Sequence, residues 1–236
     1  MIMRLLLISN STNAGEGYLE YPKENIREFL GSSDKKALFV PYAGVTLSYD
    51  DYENKVKEKF NEAGHDIISI HHFNDPEKAV EKAEAIVVGG GNTFRLAEQL
   101  HKNSLVEKIR NRVMRGTPYI GWSAGANVAC PTICTTNDMP IVQPLSFDGF
   151  SLVKFQINPH YLDANTEGHA GETREMRISE YIEINQDTYV TGLREGSMLL
   201  LENGTIRLIG KRTMRIFRYG TLPFELGPDD DAGFLI

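Results

Sequence analysis

Tyr119-Ile-Gly-Trp-Ser123-Ala-Gly-Ala-Asn-Val-Ala129 runs from an apolar, strand-like stretch into a serine and out into small residues that suit a helix. A serine at so sharp a strand-to-helix turn projects its hydroxyl above the sheet. Gly121 and Gly125, in G-x-S-x-G spacing around it, remove side chains that would collide within the bend. The start of the helix offers free amides and positive potential, which makes the Ala124 N–H a candidate oxyanion donor. A serine that only caps the helix reads the same locally; the strand before it and the helix after it favour the nucleophile.

Outward from this bend, the first half alternates short apolar runs with amphipathic segments. Residues 4–9, 37–41, 67–71, 85–88 and 119–122 read as buried parallel strands, each ending in Gly, Asn, Pro or polar residues. Between them, residues 51–63 place Tyr52, Val56, Phe60 and Ala63 on one helical face. Ser104-Leu-Val-Glu107 has the form of a capping box, followed by Leu105, Ile109 and Val113 at helical spacing. Such alternation predicts an α/β fold, a doubly wound and mainly parallel sheet with helices on both faces.

After about residue 135 the pattern changes to proline-punctuated loops, a polar helix over 172–181 and strand-like runs at 189–193, 198–201 and 206–209, with Asn203-Gly204 as a two-residue hairpin signal. This half is expected to complete the same sheet. Residues 1–236 read as a single domain, with 228–236 as a solvated tail.

Composition narrows the function. The 236 residues are 41% hydrophobic and 24% charged, enough for a sizeable core, and a net charge of −7 argues against nucleic acid or an anionic membrane as partner. The opening apolar run is too short for a secretory signal, and no run approaches a membrane span. Cys130 and Cys134 make neither a disulfide framework nor a zinc site, which suits a reducing, cytoplasmic location.

Three further features complete a candidate site. Gly89-Gly-Gly-Asn-Thr93 follows a strand and precedes a helix, so its backbone can approach a ligand beyond the carboxyl end of the sheet, and a glycine amide there can be the second oxyanion donor. It is neither G-x-G-x-x-G nor a P-loop. Of the six histidines, His65, His71, His72, His101 and His169 read more simply as surface or structural. Gln156-Ile-Asn-Pro-His160 delivers His160 after an extended run and a rigid X-Pro step, fit for a general base. The orienting acid has two candidates. Asp138 gives the order Ser, Asp, His but follows the serine closely; Glu195 gives Ser, His, Glu and sits after a strand beside Gly196. Last, Arg174 and Arg177 share a helical face, where one guanidinium could fork onto a substrate carboxylate.

Taken together, Gly89-Gly-Gly-Asn-Thr93, Gly121-Trp-Ser-Ala-Gly-Ala-Asn127, Thr135-Thr-Asn-Asp-Met-Pro-Ile141, Gln156-Ile-Asn-Pro-His160 and Gly171-Glu-Thr-Arg174 resemble the peptidase E family of α-aspartyl dipeptidases, in order and over nearly the whole chain. The resemblance implies a fold like that of class I glutamine amidotransferases and a cytoplasmic serine peptidase that cleaves Asp-Xaa dipeptides with a free amine. It makes Ser123 the nucleophile, His160 the base, Glu195 or Asp138 the third member, and Gly91 and Ala124 the oxyanion hole. Arg174, with Asn92 and Thr93, would bind substrate. No cofactor or metal is called for; the partners are small aspartyl dipeptides, and a homodimer is left open. Rival readings are a cyanophycinase-like hydrolase of β-aspartyl peptides on the same scaffold and a non-catalytic anion-binding domain.

Overall fold

Every residue of Leu5–Ile8 (β1), Ala85–Val88 (β4) and Tyr119–Trp122 (β5) is buried, the pattern of strands covered on both faces. A computed structural model describes residues 3–33, 35–163 and 171–236; His169, one of the histidines read as structural, lies outside these. With Lys36–Val40 (β2) and Asp66–Ser69 (β3), these strands form a parallel array in the order β3-β2-β4-β5-β1. Alternate side chains enter two separate cores. Leu6, Ile8, Phe39, Val87 and Trp122 meet Phe29 of Lys23–Leu30 (α1) and Val56 and Phe60 of Tyr49–Glu62 (α2). Leu5, Leu7, Val40, Ile86 and Val88 meet Val80 of Pro76–Lys82 (α3), Leu96 of Thr93–Lys102 (α4) and Ile109 of Leu105–Met114 (α5). The expected doubly wound α/β sheet is borne out.

The second half departs from expectation, because it does not simply complete that sheet. Met198–Glu202 (β8) lies antiparallel to β1 and Thr205–Ile209 (β9) antiparallel to β8, closing the edge. Their turn is the Asn203-Gly204 hairpin, with φ of 54° and 75° as a two-residue primed turn requires. Gln156–Tyr161 (β6), Val190–Arg194 (β7), Met214–Phe217 (β10) and Phe224–Leu226 (β11) instead form a second sheet in the order β11-β10-β7-β6. One face of it adds Ile157, Leu193 and Ile216 to a core of the large sheet. The other is covered by Ile178 and Ile182 of Arg174–Ile184 (α7).

Two smaller expectations also fail. Ser104 makes no side-chain cap: only Asn103 and Ser104 separate α4 from α5, and Ser104 is spent in a left-handed turn at φ 56°, its amide bonded to the His101 carbonyl at 3.1 Å. Nor are residues 228–236 all solvated. Ala232 and Leu235 are buried in the core, and the Phe234 ring, itself exposed, has its centroid 5.2 Å from that of Tyr189, because the chain after the acidic run folds back to bury these two apolar side chains.

A buried Arg194 at the end of β7 clamps the second sheet. Its guanidinium reaches Asp163 at 2.6 Å and Glu225 at 2.8 Å, while Arg215 bridges Glu225 and Glu175 of α7. Arg194 above all holds the Glu225 carboxyl down to about 2 from its ordinary 4.5. A depressed carboxyl pKa contributes stability that is complete above the unfolded value and lost as pH falls through the folded one. The melting temperature of wild type should therefore exceed that of Glu225→Gln at neutral pH, with the gap closing between pH 4.5 and about 2. Thermal melts across that range check it; a constant gap would remove Glu225 from the acid response.

Candidate active site

Ser123 occupies a backbone conformation, φ 54° and ψ −112°, that side-chain-bearing residues rarely adopt. The strain is enforced by packing on both sides of the turn. A Cβ on Gly125 would lie 2.1 Å from the Val88 carbonyl oxygen and one on Gly121 2.3 Å from that of Gly125, so only glycines let Ala124–Asn127 (α6) start this close to β4 and β5. The Tyr119 hydroxyl then donates to the Gly125 carbonyl at 2.6 Å. Ser123 does not act as a side-chain cap. Its carbonyl receives the Ala126 and Asn127 amides at 3.0 and 2.9 Å, while its hydroxyl makes no capping bond. That hydroxyl lies 3.0 Å from His160 Nε2.

His160 reaches it from a bulge. The β6–β7 register shifts between Pro159 and Tyr161, and His160 at φ 52° turns out of the ladder toward the crevice. Ser9, buried at the end of β1, fixes this bulge: its Oγ accepts from the His160 amide at 3.0 Å and donates to the Leu193 carbonyl at 2.7 Å. The other ring nitrogen, Nδ1, sits 2.7 Å from Glu195 Oε1. An ionised carboxylate only accepts, so Nδ1 carries the proton and Nε2 turns its lone pair to the serine hydroxyl. Asn10 secures the turn bearing Glu195, its Oδ1 accepting from the Gly196 amide and the Tyr21 hydroxyl, both at 2.8 Å. Sequence reasoning missed Ser9 and Asn10. Two polar residues directly after the apolar run Leu5–Ile8 were the available signal; their burial is seen only in the structure.

Asp138 has a different job from the one weighed for it. It makes no bond to His160 among the described residues; its Oδ2 accepts from the Thr93 amide at 2.7 Å, the Thr93 hydroxyl at 2.6 Å and the Thr136 hydroxyl at 3.1 Å. Of the two candidate carboxylates, Glu195 lies against the ring and Asp138 against Thr93 and Thr136. Thr93 is thereby spent on Asp138. Asn92 caps α4 by accepting from the Arg95 amide at 3.0 Å and donates to the Met139 carbonyl at 2.9 Å, so its side chain holds the loop together.

Two cavities flank the serine and imidazole. One, of about 340 Å³, also takes in Thr136, Asp138, Arg174 and Glu195. The other, of about 540 Å³, takes in Tyr18, Lys55, Gly91, Trp122 and Ile141. Gly91 stands at φ 135°, and a Cβ there would come 2.2 Å from the Ala43 carbonyl oxygen, so the loop can approach the crevice only as glycine. A larger cavity of about 620 Å³, beside Lys36 and Lys78, contains none of the candidate residues.

Arg174 is an unusual cation. It opens α7, where the positive end of the helix disfavours it. Its Nη1 is buried with no hydrogen-bond partner among the described residues, and burial first, then neighbouring Arg177, holds the guanidinium below its ordinary pKa. Arg177 itself is exposed, 3.5 Å from Glu172. A buried donor left unpaired costs about 1–3 kcal/mol or more, which an incoming anion would relieve.

The model of peptidase family S51 matches residues 5–209 of this sequence. The chain belongs to peptidase family S51. It is 52% identical to peptidase E of a Nostoc species over 236 residues, covering 100% of this chain and 98% of the relative. It is 47% identical to peptidase E of Salmonella typhimurium over 218 residues, covering 92% and 95%. At low identity, two solved structures share the fold of this S51 member. A peptidase from an acI-B1 actinobacterium has a TM-score of 0.69 at 19% identity, covering 98% of this chain and 96% of that one. A Listeria monocytogenes protein solved under the peptidase E name has 0.65 at 22%, covering 88% and 98%. Membership in S51 makes the chain a serine-type peptidase. None of its described helices is long and apolar enough to cross a membrane.

Proposed function

We propose that this S51 peptidase hydrolyses dipeptides with an N-terminal aspartate, through an acyl-enzyme on Ser123. The observation that carries the reading is the run Ser123–His160–Glu195, at 3.0 and 2.7 Å, bordering the same cavity as Arg174, whose Nη1 has no partner among the described residues. His160 Nε2 takes the Ser123 proton as Oγ attacks the Asp-Xaa carbonyl, and Glu195 stabilises the imidazolium. The Ala124 and Gly91 amides hold the oxyanion. The imidazolium then protonates the departing amine; water, deprotonated by His160, attacks the ester, and aspartate leaves.

Arg174 meets the aspartyl carboxylate with a paired fork, and Asp138 meets the substrate ammonium from the same cavity. The second residue fills the cavity of about 540 Å³ on the other side of the serine. There Lys55, its Nζ 4.1 Å above the Tyr18 ring, presents a cation to the dipeptide's own carboxylate. A cytoplasmic site of action is supported by two free cysteines, one of them exposed.

The test compares Asp-Leu, Glu-Leu, Asn-Leu and β-Asp-Leu. Wild type should prefer Asp-Leu, and Arg174→Ala should lower kcat/KM for Asp-Leu by about 100-fold or more while leaving Asn-Leu little changed, since breaking one buried charge pair costs about 3–5 kcal/mol. Preference for β-Asp-Leu would point to the cyanophycinase-like reading, and equal loss on both substrates would remove Arg174 from selectivity.

A further inference from the structure

Away from the serine, at the edge of the large sheet, two imidazoles and two carboxylates converge. Asp50 and Glu53 stand one turn apart on α2; His71 and His72 lie on the 3-10 helix Ile70–His72 that follows β3. One ligand atom from each of the four falls within 4.8 Å of all the others. His71 Nε2 is 2.9 Å from Asp50 Oδ1, His72 Nε2 is 3.9 Å from the same oxygen, and His72 Nε2 is 2.5 Å from Glu53 Oε2. Bonds of about 2.0–2.1 Å to a tetrahedral zinc place ligand atoms about 3.3 Å apart, and the observed separations straddle that value.

The outer contacts are those of a built site. The Ser69 hydroxyl lies 2.6 Å from His71 Nδ1, and the Ser69 amide donates to Glu53 Oε1 at 2.7 Å, so one residue orients both a ring and a carboxylate from behind. Glu53 is buried, and its inward oxygen is already satisfied, which leaves Oε2 to face the two rings. Two separate ion pairs would not require both rings to crowd one carboxylate with their centroids 4.0 Å apart. The geometry points to a divalent transition-metal site formed by Asp50, Glu53, His71 and His72, with zinc its natural occupant. Nitrogen and carboxylate donors in equal number suit zinc rather than magnesium or calcium, which take oxygen. A ring that ligates through Nε2 presents a lone pair there and keeps its one proton on Nδ1, which in His71 donates to the Ser69 hydroxyl. The ion would tie the start of α2 to the edge of β3.

The experiment uses the full chain, freed of metal by chelator. Zinc is titrated calorimetrically into wild type, Asp50→Asn and His72→Ala, and cobalt into each as a probe of tetrahedral geometry. Asp50 and His72 lie outside the catalytic machinery, so Asp-Leu hydrolysis confirms that each variant is folded. Expected are one-to-one binding, tetrahedral cobalt absorption and a zinc-dependent rise in melting temperature in wild type, with affinity weakened by more than about tenfold in each variant. No saturable binding to wild type, or binding unchanged in both variants, overturns the site.

Discussion

Ser123→Ala lowers kcat on Asp-Leu by about four to six orders of magnitude without unfolding the protein, the loss expected when the nucleophile of a serine peptidase is removed and only oxyanion and binding contributions remain. The fold survives for a structural reason. The Ser123 hydroxyl caps nothing, and the turn is held by its backbone, through the Ser123 amide on the Ile8 carbonyl at 3.0 Å and the Ser123 carbonyl on two helix amides. Alanine keeps the Cβ and with it the strain at φ 54°, so its melting temperature should match wild type. Ser123→Gly is equally inactive but should melt higher. Relief of about 1–3 kcal/mol of backbone strain outweighs the extra chain entropy of glycine, about 0.5–1 kcal/mol. Steady-state kinetics with thermal melts check all three proteins. Retained hydrolysis in either variant would remove Ser123 from the chemistry, and an unchanged melting point for Ser123→Gly would show that the turn stores no strain.

The second large effect separates the two acids. Glu195→Gln should cost about 10³–10⁴-fold in kcat, because an amide can present its N–H to Nδ1 and leave the proton on Nε2, where it cannot take one from the serine. Asp138→Asn acts elsewhere. Asp138 accepts three hydrogen bonds from Thr93 and Thr136 and none from the imidazole among the described residues, so its loss should appear mainly in KM, through weaker hold on the substrate ammonium. If kcat fell further in Asp138→Asn than in Glu195→Gln, the assignment of the two carboxylates would have to be exchanged.

The two acids also mark where the sequence stops being informative. Both are polar residues in turns, and nothing local distinguishes a carboxylate that meets an imidazole from one that gathers threonines. Position along the chain favoured Glu195, but the 2.7 Å contact depends on how β6 and β7 pair, on the bulge at His160, and on Ser9 and Asn10 reaching across from β1. Arg174 and Arg177 pose the same problem. Their spacing puts them on one face of a helix, yet only the packing of α7 on the second sheet leaves Arg174 half-buried at the serine's cavity, its Nη1 inaccessible, and Arg177 exposed.

By itself the sequence determined what depends on neighbours in the chain. Continuous apolar runs between amphipathic helices required strands covered on both faces, Asn203-Gly204 required a hairpin, and glycines on either side of Ser123 required a bend too tight for side chains. Tertiary structure decided everything that depends on partners. A short apolar strand carries no mark of the sheet it will join, so β6, β7, β10 and β11 could separate from β8 and β9, and a histidine, a glutamate and an arginine on that second sheet and its helix could be set against a serine on the first. Backbone preference acts over a few residues; the pairing of edges and the burial of faces act across the whole chain, and it is these that bring the site together.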